Sequence, residues 1–138
     1  MLRPKEAIRK YIDFVKEIKK SAGLKTNNII GELAENYAIE KLGLKKAPIN
    51  QKHYDAEKNK LKYQIKYRTP NNKGVIKTSF KNLHKQCLRV DKIVILLPTL
   101  ETFIIDKEYI ELKSKKKKNT LIFKSTVTEL KQFKTEKP

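Results

Sequence analysis

The sequence predicts an α/β domain with one mixed sheet flanked by helices. Three stretches carry that expectation. Leu61-Lys62-Tyr63-Gln64-Ile65-Lys66-Tyr67-Arg68 alternates apolar and polar residues without a break, the period-2 pattern of a half-buried strand. Ile93 to Leu97, introduced by Asp91-Lys92 and stopped by Pro98, is a continuous apolar run, as a strand covered on both faces looks. Ahead of both, two segments place apolar residues at helical spacing. At 138 residues the chain is large enough for one domain with a real core and too short for two.

The elements follow in order. Pro4 to Lys20 reads as a first helix: Pro4 suits an early helical position, Ile8, Ile12, Val15 and Ile18 with Tyr11 form the apolar stripe, and Gly23 can close the end in a left-handed conformation. Thr26 or Asn28 can cap a second helix reaching Leu42, with Gly43 behind it and Ile30, Leu33, Ala34, Tyr37 and Ala38 as its buried stripe. Lys45 to Tyr54 reads as a loop broken by Pro48 and Asn50, and the polar link Glu57-Lys58-Asn59-Lys60 predicts a hairpin into the alternating strand. Val75 to Phe80 is either a short strand or an irregular connection. Asn82 to Val90 reads as a helix with Leu83, Cys87 and Leu88 inward. After the apolar run come a strand at Thr102–Ile105, a short helix from Asp106 to Leu112, a strand at Thr120–Lys124 and a last helix begun by Thr126 or Thr128 and ending at Phe133. The tail from Lys134 should fray.

Composition narrows the function. With 33 Lys+Arg against 15 Asp+Glu the formal charge is +18, an excess that repels itself and points to a polyanionic partner, nucleic acid first. Lys113 and Lys115 to Lys118 form the densest positive run, read as a loop. No apolar run approaches the ~20 residues of a membrane span, the N-terminus lacks a signal-peptide core, and a single cysteine, Cys87, excludes an internal disulfide. A cytoplasmic location is the expectation. Glycine-rich phosphate loops, GxSxG, HExxH and zinc-finger spacings are absent, and two histidines are too few for a histidine-based metal site.

One constellation carries chemistry. Gln64 and Lys66 share a face of the alternating strand, roughly 6 to 7 Å apart along it. A hairpin brings Asp55 back beside them, so that an acid, an amide and an ammonium converge. A lysine on a strand face is also what a lysine-rich surface gives by chance. Glu32 and Glu35 on the second helix are ordinary surface acids by their helical position, Glu35 the nearer to the apolar stripe.

Asp55, then Gln64-Ile65-Lys66, behind a helix carrying Glu32, resembles the PD-(D/E)xK nuclease superfamily, in the Mrr-like, QxK form with glutamine in place of the second acid. The resemblance covers roughly residues 27 to 98, and the eleven-residue spacing from Glu32 to Gly43 is similar to that of its resolvases and Mrr-type members, which favours Glu32 over Glu35. It implies a restriction endonuclease-like αβββαβ core over about 27–105, with the helix at 4–20 before it and a basic part at 106–138 behind. It also implies a metal-dependent DNA endonuclease of restriction, defence or repair type, acting on double-stranded or branched DNA, and a homodimer where both strands are cut. The catalytic set would be Asp55, Gln64, Lys66 and Glu32. Mg²⁺ or Mn²⁺ would be held by Asp55, Gln64, Glu32 or Glu35, and the Ile65 carbonyl. Arg68, Lys62, Lys73, Lys77, Lys115, Lys116 and Lys117 would hold the nucleic-acid backbone. Tyr54 stands where that family often has proline, and Gln64 ligates a hard cation without adding charge. The alternative is a nucleic-acid-binding protein that keeps the nuclease fold without its chemistry.

Overall fold

The computed structural model describes residues 1–135, which form two compact units, Met1–Leu33 and the chain from Ala34 onward. In the first, α1 spans Pro4–Ser21 with proline in its opening turn and acidic Glu6 there to meet the helix dipole. It ends at Gly23 (φ +64°), after which Leu24 N–H donates to Lys19 O at 2.9 Å. The expected stripe of α1 is not buried: Ile8 is 60% and Tyr11 68% exposed, and Val15 and Ile18 are half-buried. α2 begins here and covers Ile29–Leu42. Asn28 is its cap, its Oδ1 accepting from Gly31 N–H at 3.2 Å. A Cβ at Gly31 would collide with the Asn28 side chain where it stands, so a larger residue there would displace the cap.

The second unit is built on a mixed five-stranded sheet in the order β1-β2-β3-β5-β6. Its strands are β1 (Lys45–Lys46), β2 (Ala56–Lys58), β3 (Leu61–Tyr67), β5 (Lys92–Leu96) and β6 (Thr102–Asp106). β2 and β3 are antiparallel with Lys58 opposite Leu61, so the turn is Asn59–Lys60 alone, both at positive φ (53° and 69°). That is the twist a two-residue hairpin needs. β3 and β5 run parallel, with Gln64 beside Ile93 and Lys66 beside Ile95.

β4 (Val75–Phe80) is a strand, but it does not join this sheet. It pairs with β8 (Thr120–Thr126), which pairs in turn with β7 (Lys115–Lys117). The lysine run read as a loop is therefore in large part an edge strand. Ile93, Ile95, Phe103 and Ile105 of the first sheet share a buried cluster with Ile76, Phe80, Leu121 and Phe123 of the second. Ile110 of α3 (Lys107–Lys113) and Leu130 of α4 (Val127–Leu130) seal it. On the other face, Ala38 of α2 packs with Ala56, Tyr63 and Val94. The apolar run at 93–97 is covered from both sides, as read.

Two expectations are corrected. Residues 82–90 are not a helix: Asn82, Lys85 and Gln86 take left-handed φ (58°, 49° and 69°), and His84 and Cys87 bridge across a tight turn. Leu83 and Leu88 still face inward, whereas Cys87 is exposed. The tail does not fray at once, since Thr135 N–H donates to Thr102 O at 2.9 Å and Lys134 bridges Phe103; residues 136–138 lie outside the described part. The order α2, β1, β2, β3, then β5 parallel to β3, makes the expected α/β arrangement around a mixed sheet. The helix expected between β3 and β5 is replaced by β4 and the irregular stretch 81–91. The last helix starts where read, with Thr126 and Glu129 forming a reciprocal capping box.

Candidate active site

The site lies where β2 gives way to the loop before it. Ala56 pairs with Tyr63, and Asp55 N–H donates to Tyr63 O at 2.8 Å, so two residues oppose one. That is a β-bulge, which ends the pairing and re-aims the extra side chain. Freed from the ladder, Asp55 turns its carboxylate onto the next open donor of β3: Oδ2 accepts from Ile65 N–H at 2.7 Å. The hairpin thus fixes Asp55 against the middle of β3, as the sequence predicted.

Lys66 follows directly. It is half-buried, and its ammonium stands 5.6 Å from the centre of the Phe80 ring. Asp55 and Lys66 attract one another. Burial nevertheless dominates both. It raises the Asp55 carboxyl above its ordinary range, against the Ile65 hydrogen bond and the Lys66 charge that pull it down. It lowers the Lys66 ammonium, helped by repulsion from Arg68 and opposed by Asp55. Burial lowers Arg68 as well; its Nη1 donates to Tyr67 O at 2.7 Å and its N–H to Leu96 O. Asp55, Ile65, Lys66 and Arg68 are accordingly one electrostatic group.

Gln64 stands on the Lys66 side of β3 but lines a separate cavity with Lys52, His53, Lys81, Asn82 and Arg89. Glu35 is half-buried on α2 in the same unit. Glu32 belongs to the first unit, where its carboxylate accepts from the Lys25 and Thr26 N–H groups and from Thr26 Oγ1 at 2.9 to 3.0 Å. Its acid therefore works at the start of α2. Lys62 is exposed, its ammonium 5.0 Å over the Tyr54 ring. Lys73 and Lys77 are exposed, as are Lys115, Lys116 and Lys117. Lys77 faces Lys124 directly across the second sheet. Like charges so placed cost stability, and a polyanion would relieve that cost.

Among the described residues no three His, Cys, Asp or Glu side chains converge on a metal position. The donors at hand are the Asp55 carboxylate and the Ile65 carbonyl. Mg²⁺ commonly takes one or two carboxylates and completes its shell with water and substrate phosphate. A half-buried carboxylate whose pKa is raised by desolvation fits that mode, and does not fit a cage made of protein alone. The sequence missed Phe80 as the ring beneath Lys66. It also missed Lys52, His53, Lys81, Asn82 and Arg89, because a helix expected over 82–90 hides the turn at Asn82 and the return of Arg89, and the loop at 45–54 carries no signal of what it packs beside.

No protein-family model matches the chain, and no curated protein matches it. Among the described residues no helix is long and apolar enough to cross a membrane.

Proposed function

We propose that the chain is a metal-dependent DNA endonuclease of the PD-(D/E)xK kind, hydrolysing phosphodiester bonds in a restriction, defence or repair role. The observation that carries this reading is the Asp55 carboxylate seated on Ile65 N–H beside the half-buried Lys66 ammonium. Asp55, with the Ile65 carbonyl, would hold Mg²⁺ or Mn²⁺, and Glu35 on α2 is the other candidate acid in the same unit. Such an ion supplies an acidified water and offsets charge on the phosphate oxygens. Asp55 must be ionised to bind it, so the raised carboxyl pKa makes metal binding weaken as the pH falls. Lys66 holds the attacking water in line through an ammonium N–H and meets charge developing on the phosphate. Its desolvation makes that ammonium stronger in the site than in water. Arg68 presents a planar fork to a neighbouring phosphate. The exposed lysines of β4 and β7 bind backbone without reading sequence.

A second reading, a nuclease fold that binds nucleic acid without cutting it, is favoured by the absence of a three-acid cluster among the described residues. Incubating the protein with supercoiled, branched and single-stranded DNA, in Mg²⁺ or EDTA, separates the two. EDTA-sensitive nicking supports the nuclease. Salt-dependent retardation with intact DNA supports the binder.

A further inference from the structure

We infer that Gln64 belongs to a phosphoryl-binding pocket and donates its amide N–H to phosphate, so that it is not a weakened metal ligand. The inference rests on the nucleic-acid reading above only for what carries the phosphate. Gln64 lines a cavity of about 30 Å³ whose other polar walls are Lys52, His53, Lys81, Asn82 and Arg89, with buried Leu88 completing it. No wall residue is acidic. Asp55 and Lys66 are not part of it, although they adjoin Gln64's neighbours on β3.

The pocket is assembled by the irregular segment that replaced the expected helix. Asn82 at φ +58° turns the chain sharply after β4, and Arg89 Nε–H donates to Asn82 O at 2.7 Å. That bond holds the guanidinium by its inner nitrogen and leaves the two outer nitrogens as a fork, the geometry that pairs with phosphate. Lys52 and Lys81 add point charges, and the chain at His53 is held by its backbone N–H donating to Gln51 Oε1 at 3.0 Å. A water needs roughly 10–15 Å³ measured this way, so the enclosed part takes two or three oxygen-sized atoms, and the exposed walls Lys52, His53, Lys81, Asn82 and Arg89 let a phosphoryl group enter from the surface with its oxygens inward.

Charge then explains the amide. A carboxylate at position 64 would pair with the surrounding cations and repel a phosphoryl group. Glutamine is neutral and can present N–H to the anion while its oxygen faces a lysine. In this pocket glutamine is the better residue, and its departure from the acidic pattern needs no loss of function.

Gln64→Glu separates the two roles. The readouts are anisotropy of labelled duplexes with and without a 5′-phosphate, all in EDTA, and Mn²⁺ affinity measured by calorimetry without DNA. The pocket predicts that Arg89→Ala weakens duplex binding about tenfold, as loss of a charge-assisted bond does. Lys81→Ala should follow with a smaller loss, each variant lowering the salt slope by about one. Gln64→Glu should weaken DNA binding at least as much as Arg89→Ala and leave Mn²⁺ affinity unchanged. Equal losses on both duplexes identify an internal backbone phosphate. A loss confined to the 5′-phosphorylated duplex identifies a terminal one. If Arg89→Ala and Lys81→Ala bind both duplexes as the parent does, or Gln64→Glu tightens Mn²⁺, the inference fails. The EDTA measurements do not depend on cleavage, so a protein that never cuts leaves this result standing, and a cutting protein with an idle pocket sinks only this one.

Discussion

Two hairpins place lysines in opposite circumstances. The β2–β3 hairpin sets Lys66 against Phe80 and beside Asp55, half-buried, with its ammonium pKa lowered by desolvation. The β7–β8 hairpin sets Lys115, Lys116 and Lys117 on an edge strand in full solvent. Both have two-residue connections, and both belong to a chain with a large positive excess. The difference is what lies across the sheet. β3 is flanked by β2 and β5 and has side chains packed over it, so a charge there must find partners or shift its protonation. β7 has one neighbour and open water on its other edge, where lysines also discourage edge-to-edge association. One hairpin concentrates chemistry; the other spreads charge.

The sharpest break in that comparison comes from Lys66→Ala. On the nuclease reading proposed above, removing this half-buried ammonium should cost on the order of 10³-fold in cleavage rate, with DNA affinity changed by less than about threefold because one phosphate contact among many is worth little. Plasmid nicking and duplex anisotropy, run side by side, give the two numbers. Parental cutting by this variant would remove Lys66 from the mechanism.

Asp55→Asn tests the other partner. The amide retains an acceptor for Ile65 N–H, so the hairpin keeps its shape, while the site loses its anion. Metal-dependent cleavage should fall at least ~10²-fold. The electrostatics give a second readout. A carboxyl raised above 3.8 binds its proton more tightly folded than unfolded, so its destabilisation is present above the raised value and vanishes as the pH drops below 3.8. An ammonium lowered from 10.5 destabilises below the lowered value, and that cost vanishes as the pH climbs past 10.5. Both costs act at neutral pH. In Asp55→Asn the carboxyl cost is gone, but so is the attraction that held Lys66 up, and the Lys66 ammonium should titrate lower still. NMR titration of the Lys66 side chain checks this, and an unchanged midpoint would mean that the two groups are not coupled.

How much of this was readable in advance follows from which forces act along the chain and which act across it. The alternation of Leu61 to Arg68 and the apolar run to Leu97 are local signals, and both strands formed where they were read. The Asp55 placement was also readable, because a short polar link fixes a hairpin. The bulge was not: no residue type marks the extra member at Asp55, and only its N–H bonding to Tyr63 O beside the Ala56–Tyr63 pair reveals it. β4 was ambiguous since a strand's partner is a tertiary fact, here β8 more than forty residues on. Residues 82–90 misled because their left-handed turns fall on Asn82, Lys85 and Gln86, without the glycine that usually announces one. The lysine strand β7 carries no alternation at all; its pairing is dictated by Leu121, Phe123 and Ser125 burying the other side of β8.

Replacing Lys115, Lys116 and Lys117 together by alanine sharpens the contrast from the side of β7. Duplex affinity should fall about tenfold near physiological salt, and the slope of log affinity against log salt should flatten by about three. The rate of cleavage of DNA already bound should not change, since these lysines do not enter the electrostatic group around Asp55. A slower single-turnover rate at saturating protein would place β7 in the chemistry and erase the distinction between the hairpins.

The smallest effect is expected where the hairpins agree. Lys60, the second residue of its turn, and Lys118, the first of its own, lie at φ 69° and 55°, a region that costs a residue with a Cβ about 1 kcal/mol and glycine nothing. Glycine there also gains freedom in the unfolded chain, which returns part of the benefit. Lys60→Gly and Lys118→Gly should therefore each stabilise by about 0.5 kcal/mol, a rise of about 2 °C in Tm for a chain of this size. The gain at Lys60 ought to come with cleavage unaltered, because the turn lies beyond the pairing that fixes Asp55. A Tm that falls at Lys60 but rises at Lys118 would show that the Lys60 side chain supports the hairpin, and the strain at that turn would then be part of how the site is held.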